Sequence, residues 1–137
     1  MLALAASSPF PERPTLLLVE DHDDTRTMYA TFLRQTYDVL EAPDAPRALE
    51  ILRHHVPALI VTDLALPGMD GFEFVSRVRA HPQSTTVPII CLSGYEGVAH
   101  AERARQVGVD RVLSKPCLPD ALARAADEML RNRRGGS

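Results

Sequence analysis

Cysteine is scarce in this 137-residue chain, with two residues, and tryptophan is absent. Neither Cys91 nor Cys117 belongs to a Cys-x-x-Cys pair or to a Cys/His ligand spacing. Both therefore read as small buried hydrophobes of a reducing compartment, and a disulfide between them has no support. Aromatic residues make up 5% of the chain, too few for a stacking platform on single-stranded nucleic acid. An excess of one charge is also lacking: 15 basic against 18 acidic residues leave −3, with no global field toward nucleic acid or an anionic membrane. No apolar run approaches the ~20 residues of a membrane span. The opening MLALAA has no basic residue before Arg13, so the positive start of a secretory signal is missing. These absences leave one cytosolic domain as the expectation, and 45% hydrophobic residues suffice for its core. Residues 1–13 read as a flexible leader, 14–132 as the domain and 133–137 as a frayed tail.

What the chain does contain is a recurring change of hydrophobic period. TLLLVE (15–20) is a short apolar run, and TRTMYATFLRQ follows with Met28, Phe32 and Leu33 at helical spacing. YDVLEA (37–42) is strand-like. DAPRALEILRHH has Asp44 as an N-cap, Pro46 in the first turn, and Ala45, Ala48, Leu49 and Leu52 on one face. ALIVTD (58–63) precedes a helix with Phe74, Val75 and Val78 inward; VPIICLS (87–93) precedes a helix that stops at Gly108. DRVLSK (110–115) is the fifth strand, and the last helix turns Leu122, Ala126, Met129 and Leu130 inward. Strand then helix, five times, predicts a doubly wound (βα)5 α/β fold of the flavodoxin-like kind. Its five-stranded parallel sheet has the order 2-1-3-4-5, with helices on both faces and right-handed crossovers.

In such folds ligands bind outside the carboxyl ends of the strands, at the switch point between strands 1 and 3. Strand 1 ends in Glu20-Asp21, strand 3 in Asp63, strand 4 in Ser93-Gly94 and strand 5 in Lys115-Pro116. Alone, each residue has a bland reading: a cap, a solvated loop pair or a turn. Together they form a constellation. Three crowded carboxylates repel and call for a cation. All-oxygen ligands in a partly open site suit Mg²⁺, and the lack of His or Cys among these strand ends disfavours zinc. Lys115 adds a permanent cation and Ser93 a hydroxyl donor. The set is a clamp for phosphoryl oxygens around a nucleophilic Asp63. Gly68 and Gly71 let the following loop turn. A cis Lys115–Pro116 peptide would aim the lysine inward, and the sequence leaves that isomer open. The five histidines show no ligand spacing with acids and read as surface residues.

LLLVEDHDD, IVTDLALPGMDGFEF, PIICLSG and VGVDRVLSKP, in this order over about residues 14–132, resemble the receiver domain of two-component response regulators. The resemblance implies that Asp63 is the phospho-acceptor and that Asp21 and Asp63 ligate Mg²⁺ directly. Glu20 would act largely through water, and the backbone carbonyl of Ala65 would be a further ligand. Ser93 matches the switch hydroxyl and Lys115 the phosphate-pairing lysine. The donor would be a phosphohistidine on a sensor histidine kinase or a histidine phosphotransfer protein. The domain would help catalyse its own phosphorylation and dephosphorylation. Output would pass to a downstream protein through the face of the 96–107 helix, strand 5 and the last helix, with room for a weak homodimer and no direct role for nucleic acid or membrane. The chain would be a single-domain receiver or a piece of a larger hybrid kinase or regulator. It departs from the pattern at Val112, where a switch aromatic is common and whose role Tyr95 would have to share. Other departures are Gly94, Cys117 and Ala65, the last bearing on how attacking water is oriented.

Three rival readings meet specific residues of this chain. An aspartyl-phosphate phosphatase of the haloacid-dehalogenase type needs a second Asp two residues after the nucleophile, where Ala65 stands. A flavodoxin-like cofactor binder wants a Ser/Thr/Gly-rich phosphate loop, where this chain has EDHDDT. A degenerate receiver would bind partners without phosphorylation, although here every reactive residue is present. The helix at 96–107 offers mainly Val98, Ala101, Ala104 and Val107 to the core, so it is expected to be weakly held.

Overall fold

The computed structural model describes residues 13–94 and 97–135. Tyr95, Glu96, the side chain of Val98 and all of the expected leader but Arg13 lie outside them. The strands are β1 (Thr15–Val19), β2 (Asp38–Ala42), β3 (Leu59–Asp63), β4 (Ile89–Ser93) and β5 (Arg111–Ser114). The helices are α1 (Asp23–Leu33), α2 (Ala45–Leu52), α3 (Gly71–Ala80), α4 (Gly97–Val107) and α5 (Pro119–Gly135). The sheet is parallel throughout, in the order β2-β1-β3-β4-β5, as the alternation of periods predicts. No helix among the described residues is long and apolar enough to cross a membrane.

Strand side chains alternate between two cores. Leu17, Val19, Ile60, Ile89 and Cys91 pack with α2, α3 and Ala104 of α4. Leu16, Leu18, Leu59, Val61, Ile90 and Leu92 pack with α1 and α5. Every residue of β3 and β4 is buried, which is why their sequences read as continuous apolar runs rather than alternating ones. Each fully buried Leu or Ile here contributes about 1.5–3 kcal/mol of transfer free energy.

Local signals hold the helix ends. Asp44 caps α2 by accepting from the Arg47 amide at 2.8 Å, with proline in the first turn. Asp70 caps α3 in the same way through the Glu73 amide at 2.9 Å. Gly108 follows α4 with φ of 112°, a left-handed conformation that suits glycine. The helix α5 runs on to Gly135, past the 132 boundary expected from its apolar face.

Two packing expectations need correction. In α1 the inward residues are Tyr29, Ala30 and Leu33, while Met28 is 43% exposed and Phe32 only half-buried. The helix is rotated so that the tyrosine ring lies against the sheet and its hydroxyl finds a polar partner, which methionine could not supply. His100 is not a plain surface residue: it packs edge-on against Phe72 at 4.6 Å between centroids, and Arg103 lies over the same ring at 4.2 Å.

Arg79, near the end of α3, stitches two connections together, the one from α3 to β4 and the one from α4 to β5. Its guanidinium donates to the carbonyls of Val87 at 2.6 Å, Thr85 at 3.0 Å, Ser84 at 3.2 Å and Gly108 at 2.8 Å. It also pairs with Asp110 at 2.9 Å, whose Oδ2 accepts from the Ile89 amide at 2.8 Å. The fixed fork of arginine can meet these acceptors together; a lysine ammonium cannot. Arg79→Lys is therefore expected to destabilise the domain by about 1–3 kcal/mol in urea unfolding. Faster amide exchange is expected over 84–89 and 108–110. An unchanged unfolding midpoint would remove Arg79 from this role.

Candidate functional site

The β1–β3 register pairs Val19 with Thr62, so the next residues along, Glu20 and Asp63, leave the sheet side by side. Asp63 is the last residue of a fully buried strand, and its side chain is 3% exposed. The neighbouring strand places Leu92 opposite it, and β5 follows with Ser93 opposite Ser114. Lys115, one step beyond, is anchored by its amide to the Ser93 carbonyl at 2.7 Å. Topology alone thus delivers acids from β1 and β3 and a lysine from β5 to one crevice.

Within the crevice, carboxylate oxygens of Glu20, Asp21 and Asp63 lie within 4.8 Å of one another. The Asp63 carboxylate is held on both sides: Oδ1 accepts from the Ala65 amide at 2.9 Å and Oδ2 is ion-paired with the Lys115 ammonium. Burial works against the Lys115 charge, but the hydrogen bond and charge of Asp63, aided by Glu20 and Asp21, outweigh it and hold the ammonium above its ordinary pKa. The Lys115–Pro116 peptide is cis, the isomer the sequence leaves open.

Glu20 is buried and accepts from the His22 amide at 3.0 Å through Oε2. Its Oε1 has no hydrogen-bond partner among the described residues. Burial, opposed by that amide and reinforced by the negative charge of Asp63, pushes the Glu20 carboxyl up to about 7. The loop that carries Glu20 and Asp21 is pinned by Arg26, which donates to the Glu20 carbonyl at 2.8 Å and pairs with Asp23 at 2.8 Å and Glu41 at 3.2 Å. Nothing in the local sequence singles out Arg26, because one of its partners comes from β2.

Gly71 closes the site from behind. Its amide donates to the Leu64 carbonyl at 2.9 Å, and a Cβ there would stand 2.5 Å from the Leu64 Cα and 2.9 Å from the Asp63 carbonyl oxygen. Any side chain at 71 would push on the end of β3. Gly68, with φ of 75°, turns the loop away from Asp63.

Glu20, Asp21, Asp63, Ala65 and Lys115 line one open pocket of about 500 Å³, which also includes Tyr29 and Cys117. Ser93 is buried at the end of β4 and donates to the Gly94 carbonyl at 3.2 Å; it is not among the lining residues. Both cysteines are free, Cys91 buried and Cys117 half-buried beside the pocket. Tyr29 was not singled out by sequence, since its partner is remote in the chain.

A parallel sheet in this order, with acids at its switch point and a lysine from the last strand, defines a flavodoxin-like α/β domain built around a buried aspartate. Comparison with known proteins narrows this class. The family profile for the response regulator receiver domain matches residues 16–127. Response regulator Rre1 of Synechocystis is 31% identical over 125 residues, covering 90% of this chain and 54% of that protein; the chain spans about half of that relative. Among solved structures, the chemotaxis response regulator CheY4 of Vibrio cholerae superposes with a TM-score of 0.80 at 30% identity, covering 87% of this chain and 100% of its own. The receiver domain of sensor histidine kinase PA1611 from Pseudomonas aeruginosa, with a magnesium ion coordinated in its active-site cleft, gives 0.79 at 28% identity, covering 87% of this chain and 98% of that one. The chain therefore belongs to the response regulator receiver family, as a CheY-like receiver domain of two-component signal transduction.

The raised Glu20 pKa makes stability depend on pH when no divalent cation is added. The folded protein holds this proton more tightly than the unfolded chain, so the stabilisation is complete below about pH 4.5 and is lost as pH rises through about 7. In EDTA the melting temperature is expected to fall across that window, and Glu20→Gln should flatten the fall. An identical pH profile in the variant would show that another group carries the effect.

Proposed function

We propose that this receiver domain, residues 14–132, accepts a phosphoryl group on Asp63 from a phosphohistidine of a sensor histidine kinase or a histidine phosphotransfer protein, and signals the change to a downstream protein. The observation that carries this reading is the Asp63 carboxylate itself. It is buried at the end of β3, held by the Ala65 amide and Lys115, and open to a pocket on one side.

The donor set suits a hard divalent cation. It consists of oxygens, clustered within 4.8 Å, and one of them, Glu20 Oε1, is buried without a hydrogen-bond partner among the described residues. PA1611, a relative in structure, carries magnesium in its cleft. Glu20, Asp21, Asp63 and the Ala65 backbone carbonyl would hold Mg²⁺ here. When bound, the ion would neutralise crowded carboxylate charge and charge on the phosphoryl oxygens.

The chain's own groups then do the following. An Asp63 carboxylate oxygen attacks phosphorus as the bond from phosphorus to the donor's imidazole nitrogen breaks. The electron pair stays on that nitrogen, and an acyl phosphate forms on Asp63. The Ala65 N–H fixes Oδ1 during attack. Lys115 exchanges its pairing with the carboxylate for one with a phosphoryl oxygen, keeping the site's charge balanced. The Ser93 hydroxyl, which donates to the Gly94 carbonyl, turns to donate to a second phosphoryl oxygen. Output then passes to a protein partner on the α4–β5–α5 face. Val112 is half-buried against the core and supplies no aromatic flip of its own, so transmission relies on movement of α4, with Tyr95 sharing the switch role. Hydrolysis of the acyl phosphate, by water attacking phosphorus, returns the domain to rest. Ala65 presents no polar side chain to orient that water, so residue 65 is a lever on the lifetime of the phosphorylated state. The proposed setting is the cytoplasm, with a weak homodimer compatible with the same output face.

Acetyl phosphate with Mg²⁺ is expected to add one phosphoryl group by intact mass, with no addition in EDTA or in Asp63→Asn. An adduct that persists in Asp63→Asn sinks the assignment of the acceptor. Saturating Mg²⁺ alone is expected to raise the melting temperature by roughly 2–5 °C at neutral pH. An equal rise in Asp21→Ala would count against these carboxylates as the metal site.

A further inference from the structure

Lys115 begins a short connection, Lys115–Leu118, between β5 and α5. One end of this connection is tied to β4 by the Lys115 amide on the Ser93 carbonyl. Toward the other end, the Tyr29 hydroxyl donates to the Cys117 carbonyl at 2.6 Å, across 88 positions of sequence. Pro116 between them has no N–H to offer. Tyr29 stands on α1, the helix that follows the loop carrying Glu20 and Asp21. Its hydrogen bond therefore joins the acidic side of the pocket to the lysine side.

The ring that carries this hydroxyl is fixed. Tyr29 is 4% exposed and packs in the core formed with Leu16, Leu18 and Leu122. Burial, reinforced by the charges of Cys117, Glu20 and Asp63, pushes the phenol up to about 12, so it remains a proton donor through the neutral range. Packing alone would be satisfied by phenylalanine; the hydroxyl's contribution is the bond to Cys117.

We infer that Tyr29 is a positioning residue for phosphoryl transfer: through the Cys117 carbonyl it sets the Lys115–Leu118 connection so that the Lys115 ammonium reaches the acceptor. The inference rests on the reading of Asp63 as phospho-acceptor. A charged group displaced by a fraction of an ångström loses much of its effect on a transition state, and a connection held near both ends is restrained against that displacement.

Tyr29→Phe keeps the ring and removes the bond. Phosphorylation by acetyl phosphate with Mg²⁺, followed by intact mass, is expected to slow about tenfold. Amide exchange should speed up over 113–119 and not over β1 or β3. In a Lys115→Ala background the same substitution should slow labelling no further, because the group being positioned is gone. Equal slowing in both backgrounds would reduce Tyr29 to a structural residue and overturn the inference. So would labelling at the wild-type rate with unchanged exchange over 113–119. A wild-type chain that gains no phosphoryl mass overturns the acceptor reading instead, and with it the reaction that Tyr29 would serve.

Discussion

The ion pair between Lys115 and Asp63 is the interaction on which the rest of the structure turns. A carboxylate on a strand whose five residues are all buried would cost several kcal/mol if left unpaired. The two partners are unequal. Asp63 is held in the sheet and by the Ala65 amide, whereas the Lys115 side chain is 35% exposed and leads from an edge strand. One charge is fixed and the other is free to change partner. A second anion beside Asp63 would compete for the same ammonium, and that competition is what a phosphoryl acceptor requires.

The strand order is what makes this pairing available. With β3 central, β1 on one side and β4 then β5 on the other, the acids of the β1–α1 loop and the lysine after β5 reach Asp63 from opposite directions. The apolar alternation that fills two cores also aligns the strand ends, so the acceptor sits at the end of a strand buried along its whole length. Around it lie the ties that keep the loops in place: Arg26 on the acidic side, Tyr29 across the pocket, and Gly71 where no side chain fits.

The packing of α4 is of a different kind. Ala104 is its buried contact with the sheet among the residues described, and small side chains bury little area. Polar and aromatic contacts hold the helix instead. Arg79 fixes the turn after its C-terminal end through the Gly108 carbonyl, and Phe72 receives His100 and Arg103 along its side. Phe72 follows Gly71, the α3 residue packed against the acceptor loop, so the same turn of α3 also touches the helix expected to respond. A helix anchored beyond its far end and with small side chains on its core face is the element the proposed signalling step would move.

Much of this was legible in the chain. Continuous apolar runs at 59–63 and 89–93 mark strands buried on both faces; Asp44 with Pro46 starts a helix, and Gly108 ends one, because capping and turn chemistry act over a few residues. The strand-end acids and Lys115 could be placed together because the switch-point rule turns strand order into neighbourhood. The inward face of α1 was not legible. Met28 and Phe32 have the right period, yet it is Tyr29 that is buried, its ring in the core with Leu16, Leu18 and Leu122 and its hydroxyl on the Cys117 carbonyl. The acceptors of Arg79, the partners of Arg26 and the elevated pKa of Glu20 were equally hidden. Local pattern reports what each segment prefers for itself. Hydrogen bonds between residues 88 positions apart, and the charge state of a buried carboxyl, depend on how much water the whole fold removes and which groups it brings into contact, and these exist only once the chain has closed on itself.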